Sequence, residues 1–283
     1  MSKFHERPNI FVTDIVLRVQ NLEKSREFYK TIMGFKVLEE EESKVVFTVD
    51  GKNPIVTIIR PEDIGPKIPR RTGLYHFAVL LPDRLQLGLF FKNITEKNYH
   101  IVGGSHHGVS EAIYLEDPDE NGIEVYADTD EAQWDRHDYT VNMVTERLDY
   151  SELLAYTGDK IWEGVPGGTI IGHIHLHVAD LDDSFKFYNI LGFELTQAMR
   201  HTAYFISTGG YHHHIGMNLW NGKGSPPLPE DSAGMQYFTL KLPNEDIRTE
   251  KMRLFREAGY GVIETAKGIF IKDPSENLIK LEI

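Results

Sequence analysis

The sequence predicts an α+β fold assembled from four βαβββ modules, and internal repetition carries that prediction. A constant offset carries Leu17, Val19, Leu22 and Ser25 onto Leu176, Val178, Leu181 and Ser184. The same offset carries Phe28-Tyr29 onto Phe187-Tyr188, and one deletion later Gly34-Phe35 meets Gly192-Phe193. A second repeated pair lies between these: GLYHFAVLLP at 73–82 matches GMQYFTLKLP at 234–243. The distal parts agree too, IYLEDPDENGIEVY at 113–126 with IFIKDPSENLIKLE at 269–282. The modules span about 10–62, 70–128, 169–222 and 232–283. They group into an N-terminal domain (1–128), a polar linker (129–168) and a C-terminal domain (169–283).

Each module opens on an alternating run, the signature of a strand with one buried face. In 173–178, Ile174, Leu176 and Val178 share one face, and His173, His175 and His177 the other. A helix follows: Asn21 and Asp180 are suited to N-caps, and Leu22, Ser25, Phe28, Tyr29 and Ile32 form an apolar stripe. The Gly-Phe pairs end it, and short β-rich runs complete the unit: VVFTV at 45–49, IVTII at 55–59, YFIS at 204–207 and IGMNLW at 215–220. In the linker, Asp149 and Glu152 have capping-box spacing ahead of SELLAY, which predicts a short helix.

Composition narrows the chemistry. The 283 residues contain 43 acidic and 30 basic side chains, for a net charge of −13. That balance argues against nucleic acid as a partner, which requires clustered positive charge. No cysteine is present, which removes disulfides, thiolate nucleophiles and sulfur-ligated metal sites. The start MSKFHERPNI has no apolar signal segment and no run is long enough to span a membrane, so a cytoplasmic protein is expected. There are 13 histidines, and seven of them lie between 173 and 214.

The strand–helix–strands grammar, the FY…GF helix end and the DPxxN turn resemble the vicinal oxygen chelate superfamily, which includes type I extradiol dioxygenases, glyoxalase I and bleomycin-resistance proteins. The resemblance covers about 10–128 and 169–283. It implies two cup-shaped sheets, each built by two modules, with metal ligands from the first and last strands. The corresponding first-strand positions are Asp14, His76, His173 and Tyr237; the last-strand positions are Glu124 in module two and Lys280 in module four. An ammonium has no lone pair for a metal, so module four offers nothing suitable. Joining modules one and two gives Asp14, His76 and Glu124. Joining modules two and three gives His76, His173 and Glu124, a two-His, one-carboxylate set suited to non-haem Fe(II), with Mn(II) the second candidate.

The resemblance also implies the surrounding residues. His213, in the His212-His213-His214 run, takes the place of the family's acid/base histidine; the choice within the run follows the alignment. Within HGVS at 107–110, His107 corresponds to a His-Gly loop, and Tyr114 stands before Glu124 as the family's active-site tyrosine does. The implied reaction is cleavage of a catechol or similar vicinal diol aromatic by O₂, in a chain free to form homo-oligomers. Two other readings belong to the same fold: a glyoxalase-like isomerase or transferase, and a metal-free protein that sequesters drugs or aromatics.

Overall fold

A computed structural model describes residues 2–283. Module one contains β1 (Phe11–Arg18), α1 (Leu22–Glu27) continued by a π turn (Phe28–Ile32), β2 (Lys36–Glu41), β3 (Lys44–Thr48) and β4 (Pro54–Ile59). Module two contains β5 (Gly73–Leu80), α2 (Arg84–Glu96), β6 (Gly103–His106), β7 (Ser110–Glu116) and β8 (Gly122–Asp128). The connecting segment carries β9 (Arg136–His137), β10 (Thr140–Val141), β11 (Glu146–Arg147) and α3 (Tyr150–Thr157). Module three contains β12 (Ile170–His177), α4 (Leu181–Leu191), β13 (Glu194–Met199), β14 (Ala203–Ser207) and β15 (Ile215–Asn218). Module four contains β16 (Gly234–Lys241), α5 (Glu245–Glu257), β17 (Val262–Thr265), β18 (Gly268–Lys272) and β19 (Leu278–Glu282).

The two main sheets cross the chain order. One has eight strands, β17-β18-β19-β16-β1-β4-β3-β2, and joins modules four and one. The other has nine, β11-β6-β7-β8-β5-β12-β15-β14-β13, and joins modules two and three through antiparallel β5 and β12. Alternation decides what each face holds. Phe77 and Val79 of β5, Ile123 and Val125 of β8, and Ile174 and Leu176 of β12 enter the core with helix residues Leu87, Phe90, Phe187 and Tyr188. Their neighbours in sequence turn to the opposite face.

The repeated motifs meet each other in space. Asp117, first residue of the DPxxN turn, accepts hydrogen bonds from the Asp119 and Asn121 amides and from Asn121 Nδ2. Its Oδ2 also accepts the Tyr29 hydroxyl at 2.8 Å, from the FY pair of module one. Asp273 repeats the arrangement with Ser275, Asn277 and Tyr188. Each tyrosine thus ties a helix to the turn of the next module, and the tie is fully buried, where a lost partner is costly. Helix starts follow their caps: Asn21, Asp149 and Asp180 accept from the amides of Lys24, Glu152 and Asp183.

The connecting segment 129–168 does more than its polarity implies. Trp134, Val141, Met143, Leu148 and Leu153 are buried, and β11 extends the nine-stranded sheet beside β6. These apolar residues recur at no single helical or strand period, so no pattern announces them. Asp14 is also withdrawn from solvent. It lies within β1, buried, and accepts from the hydroxyls of Thr13 and Thr239. No helix among the described residues is long and apolar enough to cross a membrane.

Close approach of β8 to β5 requires glycine at 122: a Cβ there would lie 2.3 Å from the Tyr75 carbonyl oxygen. Gly122→Ala is therefore expected to cost about 1–3 kcal/mol and lower the melting temperature by roughly 5 °C. Calorimetry checks this, and an unchanged melting temperature would contradict the register.

Candidate metal centre and active site

Three neighbouring strands assemble the candidate ligands. His173 of β12 and Glu124 of β8 both pair with Ala78 of β5, one on each side, so they stand in a row across the sheet. His76 lies two residues before Ala78 on the same face. Alanine in the middle of the row leaves space that a larger side chain would fill. The Glu124 carboxylate lies 3.1 Å from His76 Nε2 and 3.4 Å from His173 Nε2. One donor atom from each of the three falls within 4.8 Å of the others, and no other group of three such residues does so among the described residues.

The trio is closed off from solvent: His76 is 6%, Glu124 4% and His173 1% exposed. Nevertheless His76 Nε2 and both ring nitrogens of His173 lack a hydrogen-bond partner, because the carboxylate approaches without hydrogen-bond alignment. Buried polar atoms left unpaired cost free energy, and converging lone pairs of this kind suit a divalent metal. Burial drives His173 down to about 4, which leaves a neutral imidazole able to ligate. Asp14 is in the other sheet. There burial pushes it up to about 6, and the neighbouring first- and last-strand positions are Tyr237 and Lys280, the latter ion-paired with Glu282.

The remaining sequence-predicted residues surround this trio. Tyr114 is the cross-strand partner of Glu124 on β7, and its hydroxyl lies 2.8 Å from His107 Nε2. His107 Nδ1 lies 2.7 Å from the Val144 carbonyl, which can only accept. Nδ1 therefore carries hydrogen, and Nε2 of the neutral ring accepts from Tyr114. Burial, reinforced by the Glu124 charge, pushes the Tyr114 hydroxyl well above its ordinary value, so it remains a protonated donor. Of the three consecutive histidines only His213 faces the cavity. Its ring centroid is 4.1 Å from that of His173. His214 is turned inward onto the Phe4 carbonyl, and His212 onto Asp128.

A cavity of about 730 Å³ opens beside the trio, lined by Glu124, His76, Tyr114, His107, His213, His175 and His177. Asn218 holds the last two: its Nδ2 donates to His175 Nε2 at 3.0 Å, and its Oδ1 accepts from His177 Nδ1 at 2.7 Å. Apolar walls come from Tyr75, Met199, Phe205, Trp220 and Leu228. Tyr75 has no partner on β12, because the register shifts there, and so lines the cavity together with His76. Asp128, Asn218 and Tyr75 escaped the sequence reading. Only Asp128 left a usable signal, four positions beyond Glu124 and on the same strand face.

The chain belongs to the Glyoxalase/Bleomycin resistance protein/Dioxygenase superfamily, whose description fits residues 12–125 and 170–281. It is 40% identical over 279 residues to the catechol-2,3-dioxygenase of Bacillus subtilis (strain 168), covering 97% of this chain and 96% of that protein. It is 27% identical over 152 residues to biphenyl-2,3-diol 1,2-dioxygenase 3 of Rhodococcus globerulus, covering 52% of this chain and 72% of that one. Among solved structures, a putative dioxygenase from Bacillus subtilis aligns with a TM-score of 0.66 at 14% identity, over 98% of this chain and 86% of that one. Glyoxalase I from Zea mays aligns at 0.60 and 15%, over 96% and 92%. These two alignments concern the fold alone, the family's cup-shaped α+β architecture.

Buried neutral histidines make the fold acid-sensitive. Burial lowers His5 and His177 to about 4, and His214 well below 6.5. Below pH 6.5 the unfolded chain binds protons that the folded chain refuses, so stability falls as pH drops from 6.5 towards 4. His5 alone accounts for up to about 3 kcal/mol over that window, a large part of a typical domain's stability. Asp14 acts in the opposite direction, since the cost of its buried charge fades below about 6. The metal-free protein should therefore melt at progressively lower temperature through this range. A flat melting profile from pH 7 to 4.5 would contradict the burial of these rings.

Proposed function

We propose that the protein is a metal-dependent extradiol dioxygenase that cleaves catechol or a related vicinal diol aromatic with O₂. The observation that carries this reading is the His76–Glu124–His173 set, with its unpaired ring nitrogens, beside a cavity whose wall includes His76 and Glu124. The 40% identity to a catechol-2,3-dioxygenase over nearly the whole chain supports it. His76, His173 and Glu124 would hold Fe(II), or Mn(II) as the second candidate. Such an ion, when bound, supplies Lewis acidity, one-electron redox chemistry and a template for diol and O₂.

The chain's own residues have separate tasks. His213, on the cavity wall beside His173, accepts a proton from a substrate hydroxyl and later returns it as an acid. The Tyr114 hydroxyl directs its hydrogen to His107, so its oxygen accepts a hydrogen bond from a substrate hydroxyl. Tyr75, Trp220 and Phe205 offer flat surfaces to an aromatic ring and exclude water. The cavity leaves space for ring substituents beyond catechol itself. A glyoxalase-type site would need an oxygen ligand from the last strand of module three. That strand, Ile215–Asn218, carries no carboxylate.

Reconstitution with Fe(II) under anaerobic conditions, followed by catechol and O₂, tests the reading. One O₂ should be consumed per catechol, with a yellow ring-opened semialdehyde as product. No uptake and no colour from metal-loaded protein would reject it. His173→Ala should lose the metal and Asp14→Ala should retain it, by metal analysis. Tyr114→Phe should keep the metal and lower kcat about a hundredfold; wild-type turnover in that variant would remove Tyr114 from the mechanism.

A further inference from the structure

One buried chain of hydrogen bonds lies behind the cavity, and none of its bonds is made to a candidate ligand. Glu124, Tyr126 and Asp128 share one face of β8. Asp128 is at the strand's end, where its side chain retains some solvent contact. Its Oδ1 lies 3.0 Å from His212 Nε2. His212 Nδ1 in turn lies 2.8 Å from His213 Nδ1. The Tyr211 hydroxyl donates to both Asp128 oxygens at 3.0 Å and accepts from Tyr126 at 2.7 Å. His212 is completely buried, and its ring stacks on Tyr211 with centroids 3.9 Å apart.

We infer that Asp128 and His212 are positioning residues that hold His213 in the tautomer with a free Nε2 lone pair facing the cavity. A carboxylate accepts and cannot donate, so the hydrogen on His212 must be at Nε2. In the neutral ring this leaves Nδ1 of His212 as an acceptor, and the 2.8 Å contact is then made by Nδ1–H of His213. A neutral His213 carries one ring hydrogen, so its Nε2 is a lone pair. That nitrogen has no protein partner, and His213 is one of the cavity-lining residues. The series carboxylate, imidazole, imidazole follows the logic of a base oriented by a third group, with a second ring inserted between them.

The chemical consequence rests on the ring-cleavage reading. The substrate O–H bond breaks, the proton goes to His213 Nε2, and the electron pair stays on the substrate oxygen; no oxidant takes part. The positive charge gained by His213 is met by the His212 lone pair and, one ring further, by Asp128. The opposite tautomer would present an N–H to the cavity and could not accept the proton. Asp128 sits outside the ligand trio, so its replacement separates positioning from metal binding.

Long-range proton–nitrogen spectra of the full-length, metal-free protein labelled with ¹⁵N-histidine test the inference directly. His212 should appear as the Nε2–H form and His213 as the Nδ1–H form at pH 7.5. Asp128→Asn, whose amide can also donate, should perturb both assignments. The iron-loaded variant should retain its metal and its KM for catechol, and lose about 10–100-fold in kcat, with partial recovery in Asp128→Glu. An Nε2–H on His213 of the wild type would overturn the inference, as would wild-type kcat in Asp128→Asn. Absence of ring cleavage in the wild type, with the expected tautomers seen, would instead overturn the function assigned to the site.

Discussion

The antiparallel pairing of β5 with β12 is the constraint on which the rest of the site depends. It is a contact between halves of the chain about a hundred residues apart, and it makes one nine-stranded sheet of modules two and three. Only in that register do His173 and Glu124 flank Ala78, with His76 beside them. A slip of one residue would turn every one of these side chains to the helix-covered face, so burial of Phe77, Val79, Ile174 and Leu176 enforces the register. The buried Tyr29–Asp117 and Tyr188–Asp273 bonds add a second direction of restraint, between modules of the same half. The candidate metal centre is thus a product of the whole fold, held by sheet pairing in one direction and by helix-to-turn bonds in the other.

The two sheets share an architecture and differ in chemistry. Where modules two and three present two imidazoles and a carboxylate, modules one and four present Asp14, Tyr237 and Lys280. Asp14 takes hydrogen bonds from two threonines and the Lys280 ammonium has no lone pair, so the pseudo-equivalent position is satisfied within the protein. In the nine-stranded sheet three ring nitrogens remain unpaired in a buried site. The difference between a satisfied set and an unsatisfied one gives a physical reason to assign the chemistry to one sheet.

Much of this was legible in the sequence because the informative patterns are local or repeated. Alternation in 173–178 placed the histidines opposite the core, and the repeated motifs brought His76 and His173 to first-strand positions and Glu124 to a last-strand one. Other parts depend on contacts between distant strands. Asp128 is one of several acidic residues until β8 is set beside the His212 loop, and Tyr75 reaches the cavity only through a register shift. The buried role of 129–168 was hidden because its apolar residues follow no single helical or strand period. The burial of Asp14 was hidden as well, because one of its two threonine partners, Thr239, comes from another module.

Anomalous diffraction at the iron edge, from crystals loaded with Fe(II) under anaerobic conditions, tests the central claim most directly. The account predicts one strong peak per chain, ligated by His76, His173 and Glu124 and open towards the cavity lined by Tyr114 and His213. A peak in the eight-stranded sheet, near Asp14, would contradict it, as would a metal in the nine-stranded sheet that lacks His173 as a ligand.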